Sequence, residues 1–289
     1  MAAPTSATPR PRVWTVFVAY VAFMLLNLAY NLGFGAAVML RDGVRFSDRE
    51  AVEQAIEHLM DSFAVLAGTL AGSLTLLIAF ALVGAAVAPG PWRRRLRWLP
   101  WTGGLGVVGL LVVSDLGLSA SVGALVAMVR TDSSWTGARL AQTLQALPAA
   151  QYAAMTVLVG LIGPVAEELF FRGFVQTRLR DRWGSWPGIV VTALLFGLYH
   201  LDPTHIVVAT TLGLLIGWVA EVTGSILPCI AMHIANNLMA AVLARVSPPP
   251  THGVSSPGVA LVIGAGVTSA LCVALARRKL HTEGRSAAP

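Results

Sequence analysis

The sequence predicts an all-α membrane protein, a polytopic bundle of about eight transmembrane helices with a short amphipathic surface helix after the first. Hydrophobic residues make up 56% of its 289 residues and charged residues only 12%, and the mean hydropathy is +0.71. Such values lie outside the range of soluble globular proteins. Long apolar runs recur along the chain, and a run of ~20 residues is enough to cross a bilayer as a helix.

The apolar runs predict the position of each span. They lie at about 13–40, 63–88, 103–129, 149–171, 186–200, 204–222, 225–246 and 259–276. The fifth span is short, because roughly 15 residues at about 1.5 Å each cover only about 22 Å of a ~30 Å hydrocarbon core. We therefore expect it to end inside the membrane, with His200 near mid-membrane and a buried turn from His200 to Thr204.

Residues 47–63 predict the surface helix. Ser47 with Glu50 three residues later has the pattern of a capping box, and apolar residues from Val52 to Phe63 follow on one helical face. The acidic residues of this segment argue against the cytoplasmic side of the membrane.

The two ends of the chain predict tails. Residues 1–12 are rich in Ala, Pro, Thr and Ser and are expected to be disordered, and we expect the same of residues 281–289. Residues 13–280 between them should form a single transmembrane domain.

Arginine clusters predict the orientation of the bundle. They occur before the first span and after the second, fourth and eighth, which places them all on one side. By the positive-inside rule this side is cytoplasmic, so both termini should be cytoplasmic, with the plasma membrane as the expected location. Because the basic residues are gathered beside apolar runs, the net charge of +6 indicates topology and not a nucleic-acid partner.

Cysteine usage excludes two classes of site. The two cysteines, Cys229 and Cys272, both lie in apolar runs and have no paired spacing. Neither a disulfide framework nor a Cys-rich zinc site is expected.

For some polar residues in the first spans we expect a structural role and not a catalytic one. Asn27 and Asn31 are one helical turn apart and are expected to form a polar stripe against another helix. Asp115 lies among small residues, and we expect neighbouring Ser or Thr hydroxyls to bond to it.

The sixth span has three polar residues near its ends. Asp202, followed by Pro203, predicts the N-cap of this helix. His205 is expected in its first turn at the rim of a central cavity, and Glu221 is expected to be solvated at the cytoplasmic mouth.

Two adjacent carboxylates, Glu167 and Glu168, stand at the end of the fourth span. A charge at the centre of a membrane helix costs roughly 2.5 to 3.5 kcal/mol, so such residues need a partner or a purpose. Glu168 and Arg172 are four residues apart and should form an ion pair. Glu167 points about 100° away around the helix axis, which leaves it free for chemistry.

Histidine and asparagine follow on later spans. His233 and Asn237 are four residues apart and project from one face of span seven, and Phe196 and His200 have the same spacing on span five. Ionisable groups inside a membrane are tolerated around an interior cavity. We therefore expect spans four, five and seven to pack around one cavity.

Three segments resemble the motifs of a known family. EELFFR (Glu167 to Arg172), FGLYH (Phe196 to His200) and HIANN (His233 to Asn237) look like the EExxxR, FxxxH and HxxxN boxes of the CPBP family. This family contains CAAX proteases, among them type II CAAX prenyl endopeptidases, and bacteriocin-processing or Abi-like enzymes. The boxes occur in the same order and cover about residues 164–238.

The resemblance implies an intramembrane endopeptidase of eight helices, with a catalytic core at about 149–246 and a site that opens towards the cytoplasmic side. Glu167 and His200 would hold and activate the attacking water, and His233 and Asn237 would stabilise the tetrahedral oxyanion. Supporting positions would be held by Glu168, Arg172 and Phe196. The chemistry agrees, because a carboxylate removed from water is a better general base and His and amide N–H groups are suitable oxyanion donors.

The presence of a metal is the open mechanistic point. Two histidines and a glutamate suit a catalytic zinc ion, and its ligands would be Glu167, His200 and His233. The chain has no HExxH motif, and Asn237 is a poor zinc ligand but a good oxyanion donor. We therefore favour a glutamate-dependent mechanism without a cofactor over a zinc-dependent metalloprotease.

The expected substrates are membrane-embedded or lipidated peptides. The resemblance includes cleavage of prenylated CAAX segments, bacteriocin maturation and self-immunity, and all three stay open for this chain. The alternative is a non-enzymatic membrane protein, either a transporter or a bacteriocin-immunity scaffold, that uses the same polar cluster. Against a transporter, the sequence shows no inverted pair of broken helices.

Overall fold

The computed structural model describes residues 12–87, 90–129, 136–246 and 257–286, and within them all regular structure is helical. The helices are α1 Trp14–Arg41, α2 Arg49–Asp61, α3 Phe63–Ala86, α4 Trp92–Arg95, α5 Leu105–Val129, α6 Thr136–Ala146, α7 Ala149–Trp183, α8 Ser185–Tyr199, α9 Pro203–Thr223, α10 Leu227–Val246 and α11 Pro257–Ser286. The predicted all-α class is confirmed. The eight predicted spans correspond in order to α1, α3, α5, α7, α8, α9, α10 and α11.

The transmembrane character follows from the length and composition of these helices. Among the described residues, six helices are long and apolar enough to cross a membrane, namely α1, α3, α5, α7, α9 and α10. Helix α8 is apolar but shorter, as predicted, and α11 packs along α5. The protein is a multi-pass integral membrane protein.

Helix α7 is longer than predicted, because it does not end near Phe171 but continues to Trp183. Two of its turns are π-helical, Leu158–Ile162 and Leu169–Gln176, and they flank the turn with the two glutamates. Polar residues of the second π-helical turn find partners inside the protein: Gln176 donates to the backbone oxygen of Gly217 at 2.8 Å. The helix can therefore continue past Phe171 even though the following residues include polar ones.

The surface helix and the tails differ in detail from the prediction. Helix α2 is capped by Asp48, whose carboxylate accepts from the backbone N–H of Ala51 at 3.1 Å, and not by Ser47. At the C-terminus, α11 continues to Ser286, so the segment 281–286 is helical and not a disordered tail. Residues 1–11 and 287–289, the rest of the predicted tails, lie outside the described residues.

The turn between α8 and α9 is tight but not buried as predicted. Leu201 has a left-handed backbone conformation with φ of 59°, and 72% of its surface is exposed. The turn can stay at the surface because Asp202 caps α9, with its carboxylate accepting from the backbone N–H of His205 at 2.8 Å. The predicted Asp202 cap is therefore confirmed.

The Arg-rich end of the bundle, which we define as α4 with the loop after it and the last turns of α7, is closed by a buried network. Arg97, predicted as part of a cytoplasmic cluster, is 3% exposed and pairs with Glu221 at 2.8 Å. The amide of Gln176 donates to the same carboxylate at 2.9 Å, and the Ser185 hydroxyl lies 3.2 Å from it. The expectation of a solvated Glu221 is wrong, because three elements converge on it.

Aromatic packing fixes α8 against α7. Phe170 and Phe171 on α7 are fully buried, and the ring centroid of Phe171 lies 5.1 Å from that of Phe196 on α8, in an edge-to-face arrangement. Such pairs add to the apolar area they bury. They hold the end of α8, with Phe196 and His200, beside the glutamates of α7.

Candidate active site

Glu168 is the structural centre of the site. One of its carboxylate oxygens, Oε1, accepts from Arg172 at 2.8 Å and lies 2.9 Å from Nδ1 of His233. Both Glu168 and Arg172 are fully buried, and the predicted ion pair between them is formed. The contact with His233 was not predicted, since sequence spacing shows which face a residue occupies but not what it meets.

Glu167 occupies the cavity side of the same histidine. Nε2 of His233 lies 3.6 Å from Oε2 of Glu167, a distance too long for a hydrogen bond but within range of an ion pair. The Glu167 side chain is 13% exposed, in contrast to that of Glu168. His233 therefore stands between the two carboxylates, and Glu167 is the one that can reach a ligand.

His200 is oriented by the backbone of its own helix. Its Nδ1 lies 3.0 Å from the carbonyl oxygen of Phe196. A carbonyl can only accept, so Nδ1 carries the proton and Nε2 is left with its lone pair. The His200 ring also packs on His205, with the two ring centroids 4.1 Å apart.

Phe196 is the spacer between the two catalytic candidates. The centroid of its ring lies 5.1 Å from that of His200 and 5.8 Å from that of His233, edge to face in both cases. The Arg172 guanidinium stands over the same ring at 4.6 Å. Phe196 therefore contacts both imidazole rings and covers the guanidinium of the buried ion pair.

Asn237 is held by an irregular turn that the sequence did not predict. Its Nδ2 donates to the backbone oxygen of Val159 at 2.9 Å, and Val159 lies in the π-helical turn Leu158–Ile162. π-helical turns inside α-helices are frequent at functional sites. A side-chain amide has two N–H donors, so one remains for a further acceptor.

The four predicted catalytic residues share one cavity of about 620 Å³. Glu167, His200, His233 and Asn237 all line it, together with Phe196 and His205. Glu168 and Arg172 are not in its lining and lie behind the wall. The predicted convergence of spans four, five and seven on one cavity is therefore observed.

The cavity extends away from the Arg-rich end. Along α7 its lining runs from Met155 to Glu167, in the first half of the helix, and along α9 from His205 to Ile216. Its far part is lined by Leu140 and Leu144 of α6. The resemblance implied an opening on the side of the Arg clusters, whereas the cavity lies on the opposite side of the glutamates.

Residues of the first three spans also line the cavity. Asn27 accepts from the Ser73 hydroxyl at 2.6 Å and from Asn31 at 3.1 Å, which confirms the predicted polar stripe. Sequence reasoning had not placed these residues, Ser119 or Asp115 in the wall of the site. The expected bond from a hydroxyl to Asp115 is wrong, since neither of its carboxylate oxygens has a partner in the described chain.

The metal alternative finds no preformed site. Among the described residues, no three His, Cys, Asp or Glu side chains lie close enough together to hold a metal ion. The suggested ligands Glu167, His200 and His233 line the same cavity but do not form such a group.

The part of the chain that contains the site is similar to a known protein family. Residues 149–239 match the model of one protein family, described as type II CAAX prenyl endopeptidase Rce1-like. We call these residues the CAAX-protease segment, after the family to which they are similar. This match covers less than half of the chain, but it contains all four predicted catalytic residues. No curated protein and no solved structure matches the chain.

The CAAX-protease segment is similar to intramembrane proteases, a class that works in a lipid bilayer on membrane-associated substrates. The segment begins with α7 and ends within α10, so it includes the two π-helical turns and the α8–α9 hairpin. The helices outside it complete the cavity, through the polar residues of α1, α3 and α5.

Proposed function

We propose that the protein is an intramembrane endopeptidase that hydrolyses peptide bonds of membrane-embedded or lipidated substrates. The observation that carries the proposal is the convergence of Glu167, His200, His233 and Asn237, from three separate helices, on one cavity within the CAAX-protease segment. Ionisable residues are rare and costly in membrane helices, so their gathering around a cavity indicates chemistry.

Glu167 and His200 activate the water in this mechanism. The lone pair on Nε2 of His200 accepts one hydrogen of a bound water, and the Glu167 carboxylate accepts the other. Glu167 takes the proton as the water oxygen attacks the carbonyl carbon of the scissile bond. The C–N bond then breaks, and Glu167 returns the proton to the leaving amine.

His233 and Asn237 stabilise the oxyanion that forms during the attack. Glu168 accepts from Nδ1–H of His233 and thereby favours the protonated imidazole, whose Nε2–H becomes a donor. The second N–H of Asn237 supplies another, while the first holds the amide against Val159. Loss of a single oxyanion donor typically lowers kcat by about 10²–10³-fold.

The first experiment is a cleavage screen that compares the wild type with Glu167→Gln. Purified full-length protein in lipid nanodiscs is incubated with prenylated, acylated and unmodified hydrophobic peptides, and products are identified by mass spectrometry. We expect the wild type to cleave one of these classes of peptide and Glu167→Gln to cleave none. No cleavage of any class by the wild type, combined with proton flux in vesicles, would favour the transporter instead.

The metal-free mechanism has a separate test. Metal content of the purified active protein is measured, and activity is followed under strong chelation and after zinc is added back. We expect no stoichiometric metal and full activity with the chelator. Stoichiometric zinc, with activity lost on chelation and restored by zinc, would contradict the metal-free mechanism but not the peptidase function.

A further inference from the structure

Asp115 is a buried acid that the proposed mechanism does not use. It lies in the middle of α5, in the wall of the cavity, with 1% of its surface exposed. Neither carboxylate oxygen has a hydrogen-bond partner in the described residues. The adjacent Ser114 hydroxyl bonds instead to Ser269 on α11 at 3.2 Å. A buried carboxylate anion without a donor is strongly destabilising, so Asp115 is neutralised either by a proton or by a cation from outside the chain.

The other charges around the cavity are relevant to this choice. Asp115 and Glu167 are the acids of the described lining, which contains histidines but neither Lys nor Arg. Arg172 cannot neutralise them fully, because it lies behind the wall and is already paired with Glu168. The cavity therefore has an excess of acidic groups, which favours a cationic ligand.

Asp115 lines the same cavity as Glu167 and His233, although it comes from a helix outside the CAAX-protease segment. A cation held by Asp115 would therefore lie in the cavity that contains the proposed catalytic groups.

The surface helix α2 adds acidic charge at the end towards which the cavity extends. It ends at Asp61, and α3 begins two residues later at Phe63. Leu66, in the first turn of α3, lines the cavity. The exposed acidic residues of α2 include Glu50 and Glu57, and also Glu53, which is paired with Arg49. Clustered charges of one sign raise the local concentration of oppositely charged ligands.

We infer that Asp115 binds the Lys or Arg side chain of a peptide substrate, close to the bond that is cleaved. The inference rests on the proposed peptidase function and names the substrate class more closely. A long basic side chain suits this cavity, because its apolar stem can pack against the largely apolar wall while its head reaches the carboxylate.

Binding can be measured apart from turnover in the full-length Glu167→Gln protein in nanodiscs. The probes are N-acylated fluorescent peptides in which Lys occupies each position in turn, each matched with a norleucine peptide of the same length. We expect at least one Lys peptide to bind about tenfold more tightly than its norleucine match. Adding Asp115→Asn, which keeps the shape and removes the charge, should abolish this preference.

Two further variants separate charge from folding. Asp115→Glu keeps the charge and should keep the preference for Lys. Ser114→Ala changes the neighbouring residue that faces α11 and should also keep it. The inference is overturned if no Lys peptide binds more tightly than its match, or if the preference survives Asp115→Asn.

Parallel cleavage assays with the wild type distinguish this inference from the proposed function. If peptides are cleaved but Lys peptides are not preferred through Asp115, the peptidase function is supported and the role of Asp115 is contradicted. If Lys peptides bind preferentially through Asp115 but no peptide is cleaved, cation binding by Asp115 is supported and the peptidase function is contradicted.

Discussion

At the scale of single residues, the two adjacent glutamates have different tasks because one faces the protein and the other faces the cavity. Glu168 holds Arg172 and His233 through one oxygen, whereas Oε2 of Glu167 lies 3.6 Å from the far nitrogen of His233. A carboxylate with two buried partners is fixed in place. The partly exposed one keeps its lone pairs for a ligand.

The buried pair gives a stability prediction. Arg172→Met leaves Glu168 buried without its cation, and we expect this to lower the free energy of unfolding by about 3–5 kcal/mol. The double variant Glu168→Gln with Arg172→Met should be markedly more stable than Arg172→Met alone, because no charge is left unpaired. Unfolding in mixed detergent micelles measures both.

The matched control for that experiment is an exposed pair. Arg49 and Glu53 on α2 are 2.7 Å apart, and their side chains are 92% and 60% exposed. Arg49→Met should change stability by no more than about 1 kcal/mol. Equal losses for Arg49→Met and Arg172→Met would contradict the importance assigned to burial.

At the scale of helices, the α8–α9 hairpin positions His200 through a close approach at Gly197. A Cβ at this residue would lie 2.7 Å from the backbone oxygen of Ile206 and would clash with the Thr210 hydroxyl. Only a residue without a side chain permits this packing. His200, three residues later, depends on it for its place beside Phe196.

Gly197→Ala should therefore push the two helices apart and lower activity by displacing His200. A displacement of about 1 Å can reduce catalysis by roughly 10²-fold. Gly109→Ala on α5 is the matched control, because nothing lies within 4 Å of a Cβ at that position. We expect Gly109→Ala to retain activity, and cleavage kinetics of the two variants provide the measurement. Wild-type kinetics for Gly197→Ala would contradict this account of the hairpin.

The Arg-rich end has its own prediction. Arg97→Gln removes the cation from a network that joins the loop after α4 to α7 and α9, so we expect a loss of about 3 kcal/mol or more in unfolding free energy. Arg94→Gln removes the same charge from an exposed neighbour and should be nearly neutral. Comparable losses from both would indicate that total charge, and not the network, stabilises this end.

At the scale of the whole molecule, the sequence predicted the features that are local or that the bilayer imposes. The spans were predicted because membrane thickness sets helix length, and the pair of Glu168 with Arg172 because it lies within one turn. The contacts of His233 with Glu168 and of Arg97 with Glu221 join distant segments, and periodicity does not reveal such partners. The π-helical turns that extend α7 and bring Val159 to Asn237 have no sequence signature at all.

The direction of the cavity gives a prediction about topology. If the Arg-rich end is cytoplasmic, as the positive-inside rule predicts, the cavity extends towards the outer face of the membrane. In intact cells a membrane-impermeant maleimide should then label Leu140→Cys, which lines the cavity, and should label Arg94→Cys only after permeabilisation. The natural Cys229 and Cys272 are buried and should give little background. The reverse pattern would mean that the cavity faces the cytoplasm and that the predicted orientation is inverted.

The central claim is that side chains from separate helices act together on one water molecule. The most direct measurement is the cleavage rate of Glu167→Gln, His200→Ala and the double variant, under single-turnover conditions with the substrate found in the screen. If both residues hold the same water, the double variant should lose no more activity than the more impaired single variant. Losses that multiply in the double variant would show independent roles and would contradict the shared site.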